Sequence, residues 1–262
     1  MDMTEPPQGK APRNILITGA SSGLGEALAL AYAAPGITLF LGGRDRQRAE
    51  AAAAACRARG AQAIVAVIDV TNRDDMAAWV VEADNTAALD LVIANAGISA
   101  GTGGQKGESG EQTRAIFTTN LVGVLNTVLP VIDLLRSRGR GQIALIASLA
   151  GFRGIPSSPA YCASKAAVRV WGEGLRGWLA DQGIGVTVVC PGFVATRMTA
   201  VNRFPMPFLL NAEEAAQRIK RGIETNRARV SFPWPLASVI WLLTALPPAW
   251  TDRLLRHLPR KG

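Results

Sequence analysis

Short apolar runs alternate with amphipathic stretches along most of this chain. Runs such as AIVAVI and LDLVIA carry few polar residues, which is typical of strands buried on both faces of a parallel sheet. The stretches between them show helical spacing of apolar positions. The predicted strands are 14–18, 37–42, 63–68, 89–94, 142–147 and 185–190, with a short candidate at 229–232. The predicted helices are 24–34, 45–59, 72–84, 110–137, 159–182 and 212–225.

Strands that alternate with helices predict right-handed βαβ crossovers. We therefore expect an α/β fold: one domain with a doubly wound parallel sheet (a Rossmann fold) and helices on both faces. A chain of 262 residues can form one such domain. We expect a flexible N-terminal segment over 1–12, the main domain over 13–232, and a hydrophobic, basic extension over 233–262 packed on it. The glycine-rich stretch 97–110 is expected to be a mobile surface loop.

A glycine-rich turn, TGASSGLG at residues 18–25, lies between the first predicted strand and the first predicted helix. Glycines let the backbone approach a pyrophosphate, and the helix N-terminus offers free N–H groups and the positive end of its dipole. The alternative is a tight strand-to-helix turn that binds nothing. The position at the start of a domain favours the phosphate site.

A second motif, YCASK, places Tyr161 and Lys165 four residues apart and hence on one face of a helix. A phenol is a weak acid at neutral pH. A fixed ammonium one turn away favours the phenolate, so we expect Lys165 to lower the pKa of Tyr161. Taken alone, the pair could equally be a surface tyrosine beside a surface lysine.

Five motifs follow one another in a fixed order: TGASSGLG, NAG at 95–97, Ser148, YCASK, and PG at 191–192. In this order and spacing, the chain resembles the shorter branch of the short-chain dehydrogenase/reductase family over roughly residues 13–200. The resemblance implies an NAD(P)-dependent oxidoreductase that transfers a hydride between nicotinamide and a ketone or secondary alcohol. The domain over 13–232 would then be the catalytic one.

The resemblance also implies a catalytic set. Tyr161 would be the general acid in ketone reduction and the base in alcohol oxidation. Lys165 would lower its pKa and bind the nicotinamide ribose, and Ser148 would hold the substrate oxygen. Asn120 would order a water next to Lys165. Within an apolar helical run, an asparagine is otherwise unfavourable.

A larger group of residues is implied to contact the cofactor. Asn95 is expected to brace a strand end, Asp69 and Val70 to contact adenine, and Thr196 to contact the nicotinamide carboxamide. Asp69 could instead cap the following helix. The complete expected set is Gly19, Ser21, Ser22, Gly23, Leu24, Gly25, Arg44, Asp69, Val70, Asn95, Ala96, Gly97, Tyr161, Lys165, Pro191, Gly192, Val194 and Thr196.

The end of the second predicted strand bears on the choice of cofactor. Enzymes of this fold that use NAD place a carboxylate there to bind the ribose 2′-hydroxyl. Here Gly43 stands at that point and Arg44 follows. A guanidinium favours a 2′-phosphate, so we predict NADP(H) over NAD(H). Asp45 could pair with Arg44 or bind ribose itself, and Arg46 and Arg48 are interpreted as a solvated helix face.

Composition excludes several other classes. The three cysteines, Cys56, Cys162 and Cys190, form no CxxC pair, which favours a reducing, cytoplasmic setting. The only histidine is His257, so neither a zinc site nor a Ser-His-Asp triad is expected, and we predict no metal. The net charge of +8 comes mostly from dispersed arginines without interleaved aromatics, so nucleic acid is not an expected partner.

The last thirty residues leave two interpretations open. Residues 236–246 form an apolar run about half as long as a bilayer span requires. We favour a helix that caps the substrate pocket or fills a subunit interface. The alternative is a peripheral membrane contact, with Arg253, Arg256, Arg260 and Lys261 facing headgroups. Both suggest a small lipophilic substrate. The family resemblance implies a homodimer or homotetramer, and a dinucleotide-binding sensor without turnover is a further alternative.

Overall fold

The computed structural model describes residues 11–99, 108–202 and 204–255, apart from the side chains of residues 248, 253 and 254. Of the predicted flexible segment 1–12, residues 1–10 lie outside the described residues. Of the predicted mobile loop 97–110, residues 100–107 lie outside them.

Seven parallel strands form one sheet in the order β3-β2-β1-β4-β5-β6-β7. This confirms the predicted doubly wound fold. The short candidate at 229–232 forms the edge strand next to β6. The strands are β1 (Asn14–Thr18), β2 (Thr38–Gly43), β3 (Gln62–Val67), β4 (Leu91–Ala94), β5 (Gly141–Ile146), β6 (Ile184–Pro191) and β7 (Arg229–Phe232).

Helices cover both faces of this sheet. The helices are α1 (Gly23–Tyr32), α2 (Arg46–Arg57), α3 (Arg73–Thr86), α4 (Gly110–Phe117), α5 (Gly123–Arg138), α6 (Pro159–Leu179), α7 (Arg197–Ala200), α8 (Ala212–Glu224), α9 (Trp234–Ala245) and α10 (Pro248–Leu255). In β1, Leu16 joins the core cluster that contains residues of α3, α5 and α6, whereas Ile15 and Ile17 join the cluster that contains residues of α1, α2 and α8. Both faces are therefore buried, which explains the nearly continuous apolar runs.

The predicted helix 110–137 is not a uniform α-helix. A π-helical turn, Thr118–Val122, joins α4 to α5, and it contains the fully buried Asn120. Such wide turns concentrate at functional sites. The whole helix, Gly110–Arg138, is long and apolar enough to cross a membrane by length and composition. Half of its most apolar window is buried inside the protein, as in a core helix.

Most of the remaining predicted boundaries differ from the observed ones by at most two residues, which is the usual uncertainty of element ends. The predicted helix 159–182 is the exception, because α6 ends at Leu179 and a 3-10 turn, Ala180–Gln182, follows it. The C-terminal extension forms α9 and α10. Three side chains of α9, Leu236, Ala237 and Ile240, pack against the core. The guanidinium of Arg153 donates to Thr251 Oγ1 at 2.8 Å and to the carboxylate of Asp252 at 3.0 Å, which ties α10 to the loop after β5.

Candidate active site

A cleft of about 290 Å³ lies at the carboxyl ends of the strands, where the strand order reverses between β1 and β4. In a doubly wound sheet this is the position at which ligands bind. The tertiary structure brings together the glycine turn, the ends of β2 to β6 and the start of α6. Every residue predicted to contact the cofactor lines the cleft, and Ser148 does so as well. Of the predicted catalytic set, Asn120 alone does not.

The turn between β1 and α1 is tight enough to require glycine at two positions. Gly19 has φ of +67°, and a Cβ there would lie 2.9 Å from Cα of Ala96. A Cβ on Gly25 would lie 2.2 Å from the carbonyl oxygen of Gly19. Within the described chain, Ser22 at the N-cap of α1 makes no side-chain capping hydrogen bond. The first N–H groups of α1 are therefore left for an anion such as a pyrophosphate.

The end of β4 is fixed against the end of β1. The Asn95 side-chain amide donates to the carbonyl oxygens of Thr18 at 2.9 Å and Gly19 at 3.3 Å. The N–H of Asn95 in turn donates to Thr18 Oγ1 at 3.0 Å. Asn95 thus braces the strand end, as the sequence suggested, and its side chain holds the backbone at the start of the glycine turn.

Across the cleft from this turn, Ser148 and Tyr161 meet. The Ser148 side chain lies close enough to the phenol of Tyr161 to influence its pKa, and the Ser148 hydroxyl donates to the carbonyl oxygen of Pro191 at 3.4 Å. Ser148 comes from the loop after β5, and Tyr161 from the first turn of α6. The ammonium of Lys165, one turn further along α6, lies 5.9 Å from the centre of the Tyr161 ring. It donates to the carbonyl oxygen of Ile146 at 2.8 Å.

The predicted lowering of the Tyr161 pKa is wrong for this structure. Burial raises the pKa of Tyr161, and the neighbouring Ser148 side chain offsets this only in part. Burial also lowers the pKa of Lys165 to about 8, which weakens it as a fixed positive charge. Tyr161 is consequently a protonated phenol at neutral pH, with an ammonium close by.

Asn120 lies behind the cleft wall. Its amide oxygen accepts from the N–H of Ile98 at 2.7 Å, and its amide nitrogen donates to Ile98 O at 2.9 Å and Ser164 Oγ at 3.1 Å. A Cβ placed on Gly97 would lie 3.2 Å from the Asn120 oxygen and 3.4 Å from Lys165 Nζ. Asn120 and Lys165 therefore both face Gly97.

At the other end of the cleft, two of the three arginines that follow β2, Arg44 and Arg48, line the cleft. The Arg44 guanidinium is two-thirds exposed and lies 3.9 Å from the Asp69 carboxylate. Asp45 caps α2 by accepting from the N–H of Arg48 at 3.0 Å, and its second oxygen pairs with Arg48 Nε at 3.0 Å. Asp45 thus pairs with Arg48 rather than with Arg44. A Cβ on Gly43 would lie 3.0 Å from Ser21, so a longer side chain has little room there.

Two further predicted contacts have a clear structural setting. Asp69 does not cap α3, because its carboxylate accepts from the N–H and hydroxyl of Thr71, while Asn72 is the N-cap. Thr196 stands opposite the glycine turn, since a Cβ on Gly23 would lie 3.2 Å from its side chain. The loop after β6 therefore closes the cleft over α1.

Sequence reasoning missed several residues that line the cleft, because they belong to no motif. Arg48, which the sequence places on a solvated helix face, lines the cleft next to Arg44. Gly43 and Asp45, considered above for the choice of cofactor, also line it. The missed residues besides Arg48 are Gly42, Ile68, Ile98, Thr119, Ile146, Ala147, Arg197, Met198 and Thr199. Among the described residues, no three His, Cys, Asp or Glu side chains form a group that could hold a metal.

The fold and the cleft define a class: a dinucleotide-binding α/β protein whose glycine cradle and uncapped helix N-terminus fit a nicotinamide dinucleotide. The comparison with known families agrees, because the model of the short chain dehydrogenase family matches residues 13–205. The chain belongs to this family and is an NAD(P)-dependent oxidoreductase.

Individual relatives give the same assignment. An uncharacterized oxidoreductase of Myxococcus xanthus is 40% identical over 247 residues, covering 94% of this chain and 97% of that protein. The ketoacyl reductase HetN of a Nostoc species is 35% identical over 254 residues, covering 93% and 88%. A short chain dehydrogenase from Mycobacterium paratuberculosis, solved bound to NAD, matches with a TM-score of 0.75 at 24% identity, covering 85% and 96%. This last likeness shows the fold alone.

Proposed function

We propose that this enzyme uses NADP(H) to interconvert a hydrophobic ketone and its secondary alcohol, with Tyr161 as the general acid and base. The observation that carries the proposal is that Ser148, Tyr161 and Lys165 line the same wall of the cleft, with the Ser148 side chain next to the Tyr161 phenol and Lys165 one turn away. A bound nicotinamide supplies the hydride. The protein's own residues orient the substrate and move one proton.

The raised pKa of Tyr161 suits proton donation. Since burial keeps the phenol protonated, Tyr161 can donate its proton to the substrate oxygen during reduction. Ser148 donates a hydrogen bond to the same oxygen as negative charge develops on it. The phenolate left on Tyr161 is costly in a buried site, and the nearby ammonium of Lys165 offsets that cost.

The neighbours of Lys165 position it for this role. Its Nζ donates to the Ile146 carbonyl oxygen at 2.8 Å in the wall of the cleft, and Lys165 would hold the nicotinamide ribose from there. Asn120 fixes the backbone at Ile98 and bonds to Ser164, so it supports the wall between β4 and α6. We assign Asn120 to the catalytic set as a residue that acts through this wall.

The charges at the end of β2 support NADP(H) over NAD(H). Arg44 is exposed, lines the cleft, and has only a long contact to Asp69, so its guanidinium can turn toward a 2′-phosphate. Asp45 is engaged through both oxygens by Arg48, which leaves it poorly placed to bind a ribose hydroxyl. Gly43 offers no carboxylate. The NAD-bound neighbour has only the fold in common with this chain, so it does not decide the preference.

Apolar side chains at the substrate end support a lipophilic substrate. Ile98 and Met198, which is 37% exposed, line the cleft there. A relative is named a ketoacyl reductase, which supports carbonyl reduction. A second candidate, a lipid-type ketone reductase at a membrane, is favoured by exposed tryptophans on α9. We assign the enzyme to the cytoplasm, because its cysteines are buried and form no disulfide. We also infer that copies of the chain associate through α5 and α6, where the apolar Leu129 and Val170 are exposed.

Titration of the purified protein with NADPH and with NADH, followed by fluorescence, tests the proposal. We expect NADPH to bind about tenfold or more tightly, and NADPH to be oxidised when hydrophobic ketones are added. Tighter binding of NADH would overturn the cofactor assignment. Tight binding without turnover across a broad panel of ketones and alcohols would favour the sensor without catalysis.

A further inference from the structure

The outer face of α9 and the start of α10 form an exposed apolar surface. The sequence has no charged residue from Trp234 to Thr251. Trp234, Trp241 and Trp250 are 76%, 60% and 73% exposed, and Val239 and Leu242 are more than half exposed beside them. Tryptophans exposed to this extent and gathered on one short segment mark an interaction surface rather than scattered surface hydrophobics.

This surface belongs to a helix whose inner face packs against the core. Leu236, Ala237 and Ile240 occupy the inner face of α9 and pack against the core. A Cβ on Gly192, in the wall of the cleft, would lie 3.3 Å from Leu236, so α9 begins beside the active site. An all-apolar helix is expected to be covered on every side, but only one side of α9 is covered by the described chain.

The two side-chain hydroxyls of α9 are satisfied within the helix. Ser238 Oγ donates to the carbonyl oxygen of Trp234 at 2.9 Å, and Thr244 Oγ1 donates to that of Trp241 at 2.6 Å. The surface thus offers aromatic and aliphatic groups without unsatisfied hydroxyls. A hydrocarbon environment imposes this condition, since polar groups there must be bonded internally. A surface that binds another protein is more commonly surrounded by a rim of free hydrogen-bonding groups.

The charge of the chain favours one kind of binding partner for this apolar surface. The residues that follow α10 include Arg256, Arg260 and Lys261 and no acidic residue, and the whole chain carries a net charge of +8. Anionic headgroups attract such basic segments. The twelve residues of α9 extend about 18 Å, too short to cross a bilayer but long enough to lie in its interface.

We infer that the exposed face of α9 and α10 docks on the surface of an anionic lipid bilayer, with Trp234, Trp241 and Trp250 inserted at the headgroup level. Apolar insertion and basic attraction act together in such interfacial helices. Because α9 begins at the cleft wall, docking brings the entrance of the cleft close to the lipid. The inference concerns this surface alone and does not rest on the proposed reaction.

Co-sedimentation of the full-length chain with vesicles tests it. The vesicles are phosphatidylcholine alone, or phosphatidylcholine mixed with phosphatidylglycerol. Trp241→Ser is compared with Trp178→Ser, which removes a tryptophan of similar exposure (56%) from α6, outside the extension. We expect binding to the anionic vesicles that weakens with salt, about a tenfold loss in Trp241→Ser, and little change in Trp178→Ser. Melting temperatures confirm that both variants are folded.

Three results would overturn the inference. They are no sedimentation of the full-length chain with anionic vesicles, equal losses in the two variants, and equal binding to vesicles without anionic lipid. If Trp241→Ser instead dissociates an oligomer of a chain that does not bind vesicles, the surface is an interface between copies. NADPH binding, measured in parallel, reports on the proposed function separately.

Discussion

Asn120 binds both backbone groups of Ile98, accepting from its N–H at 2.7 Å and donating to its carbonyl oxygen at 2.9 Å. The same amide donates to Ser164 Oγ, which donates to the carbonyl oxygen of Tyr161 at 2.8 Å. One side chain in the π-helical turn therefore joins the segment after β4 to the first turn of α6. This connection fixes the distance between the two walls of the active site.

We predict that Asn120→Ala lowers the free energy of unfolding by about 1–3 kcal/mol, because it leaves the partly buried backbone N–H and carbonyl groups of Ile98 without their side-chain partner. It should also lower kcat, since Tyr161 loses an indirect support. Asn126→Ala is a matched control: Asn126 is a buried asparagine on the same helix, and it donates to Val70 O at 2.9 Å. Chemical denaturation and steady-state kinetics should show similar losses of stability but a fall in kcat for Asn120→Ala alone.

Tyr161→Phe should lower kcat by about 10²- to 10⁴-fold, the usual contribution of a general acid, while NADPH binding changes little. The chain's other tyrosine provides the control. The Tyr32 hydroxyl is buried and has no hydrogen-bond partner among the described residues, so Tyr32→Phe should retain full activity. Retention of most activity in Tyr161→Phe would refute the assigned mechanism.

Arg44→Asp should weaken NADPH binding by about 10- to 100-fold and strengthen NADH binding, because a carboxylate repels a 2′-phosphate and accepts from a ribose hydroxyl. Arg46→Asp makes the same charge change at an exposed residue outside the cleft. Fluorescence titration of both variants with both dinucleotides distinguishes a direct contact between Arg44 and the 2′-phosphate from an effect of the protein's overall positive charge. Equal effects in the two variants would assign the preference to net charge alone.

The pH profile should reflect Lys165. Burial lowers its pKa to about 8, so the ammonium is present at lower pH and is lost as the pH rises through that value. The kcat/KM for NADPH reports the free enzyme, and it should therefore fall above about pH 8. Phosphates of a bound dinucleotide favour the ammonium, so kcat should fall only at higher pH. A kcat/KM that stays flat from about pH 6 to about pH 10 would contradict this role of Lys165.

Asp84 and Arg138 form a partly buried ion pair with two hydrogen bonds, which joins the C-terminal ends of α3 and α5 with N–O distances of 2.7 and 2.8 Å. Burial acts to raise the pKa of Asp84, but hydrogen bonds from Arg138 and the Leu89 N–H outweigh this effect, so the pKa is lowered. A lowered carboxyl pKa stabilises the fold above the unfolded value of about 3.9, and this contribution is lost as the pH falls through the lower folded value.

We predict that Asp84→Asn costs about 1–3 kcal/mol at neutral pH and that the difference from wild type shrinks below about pH 4. Asp133 pairs with Arg136 at 3.7 Å but is 84% exposed, so Asp133→Asn should have almost no effect on stability. Thermal unfolding across this pH range checks both variants. A constant difference between Asp84→Asn and wild type at every pH would argue against the ion pair as its source.

The sequence by itself determined the doubly wound sheet and most of the site. Buried parallel strands require apolar runs such as β1, and a phosphate turn requires glycines such as Gly19 and Gly25 at fixed positions. These constraints are local, so they are written in consecutive residues and can be read without coordinates. For the same reason, the helical face shared by Tyr161 and Lys165 follows from spacing alone.

Only the tertiary structure decided how these residues are charged and which distant groups join them. Burial raises the pKa of Tyr161 against the effect expected from Lys165, and burial depends on the packing of the whole domain. Arg48 enters the cleft because it is fixed by Asp45 at the start of α2. Asn120 reaches Ile98 through a π-helical turn. Each of these depends on contacts between separate elements, which local sequence patterns do not specify.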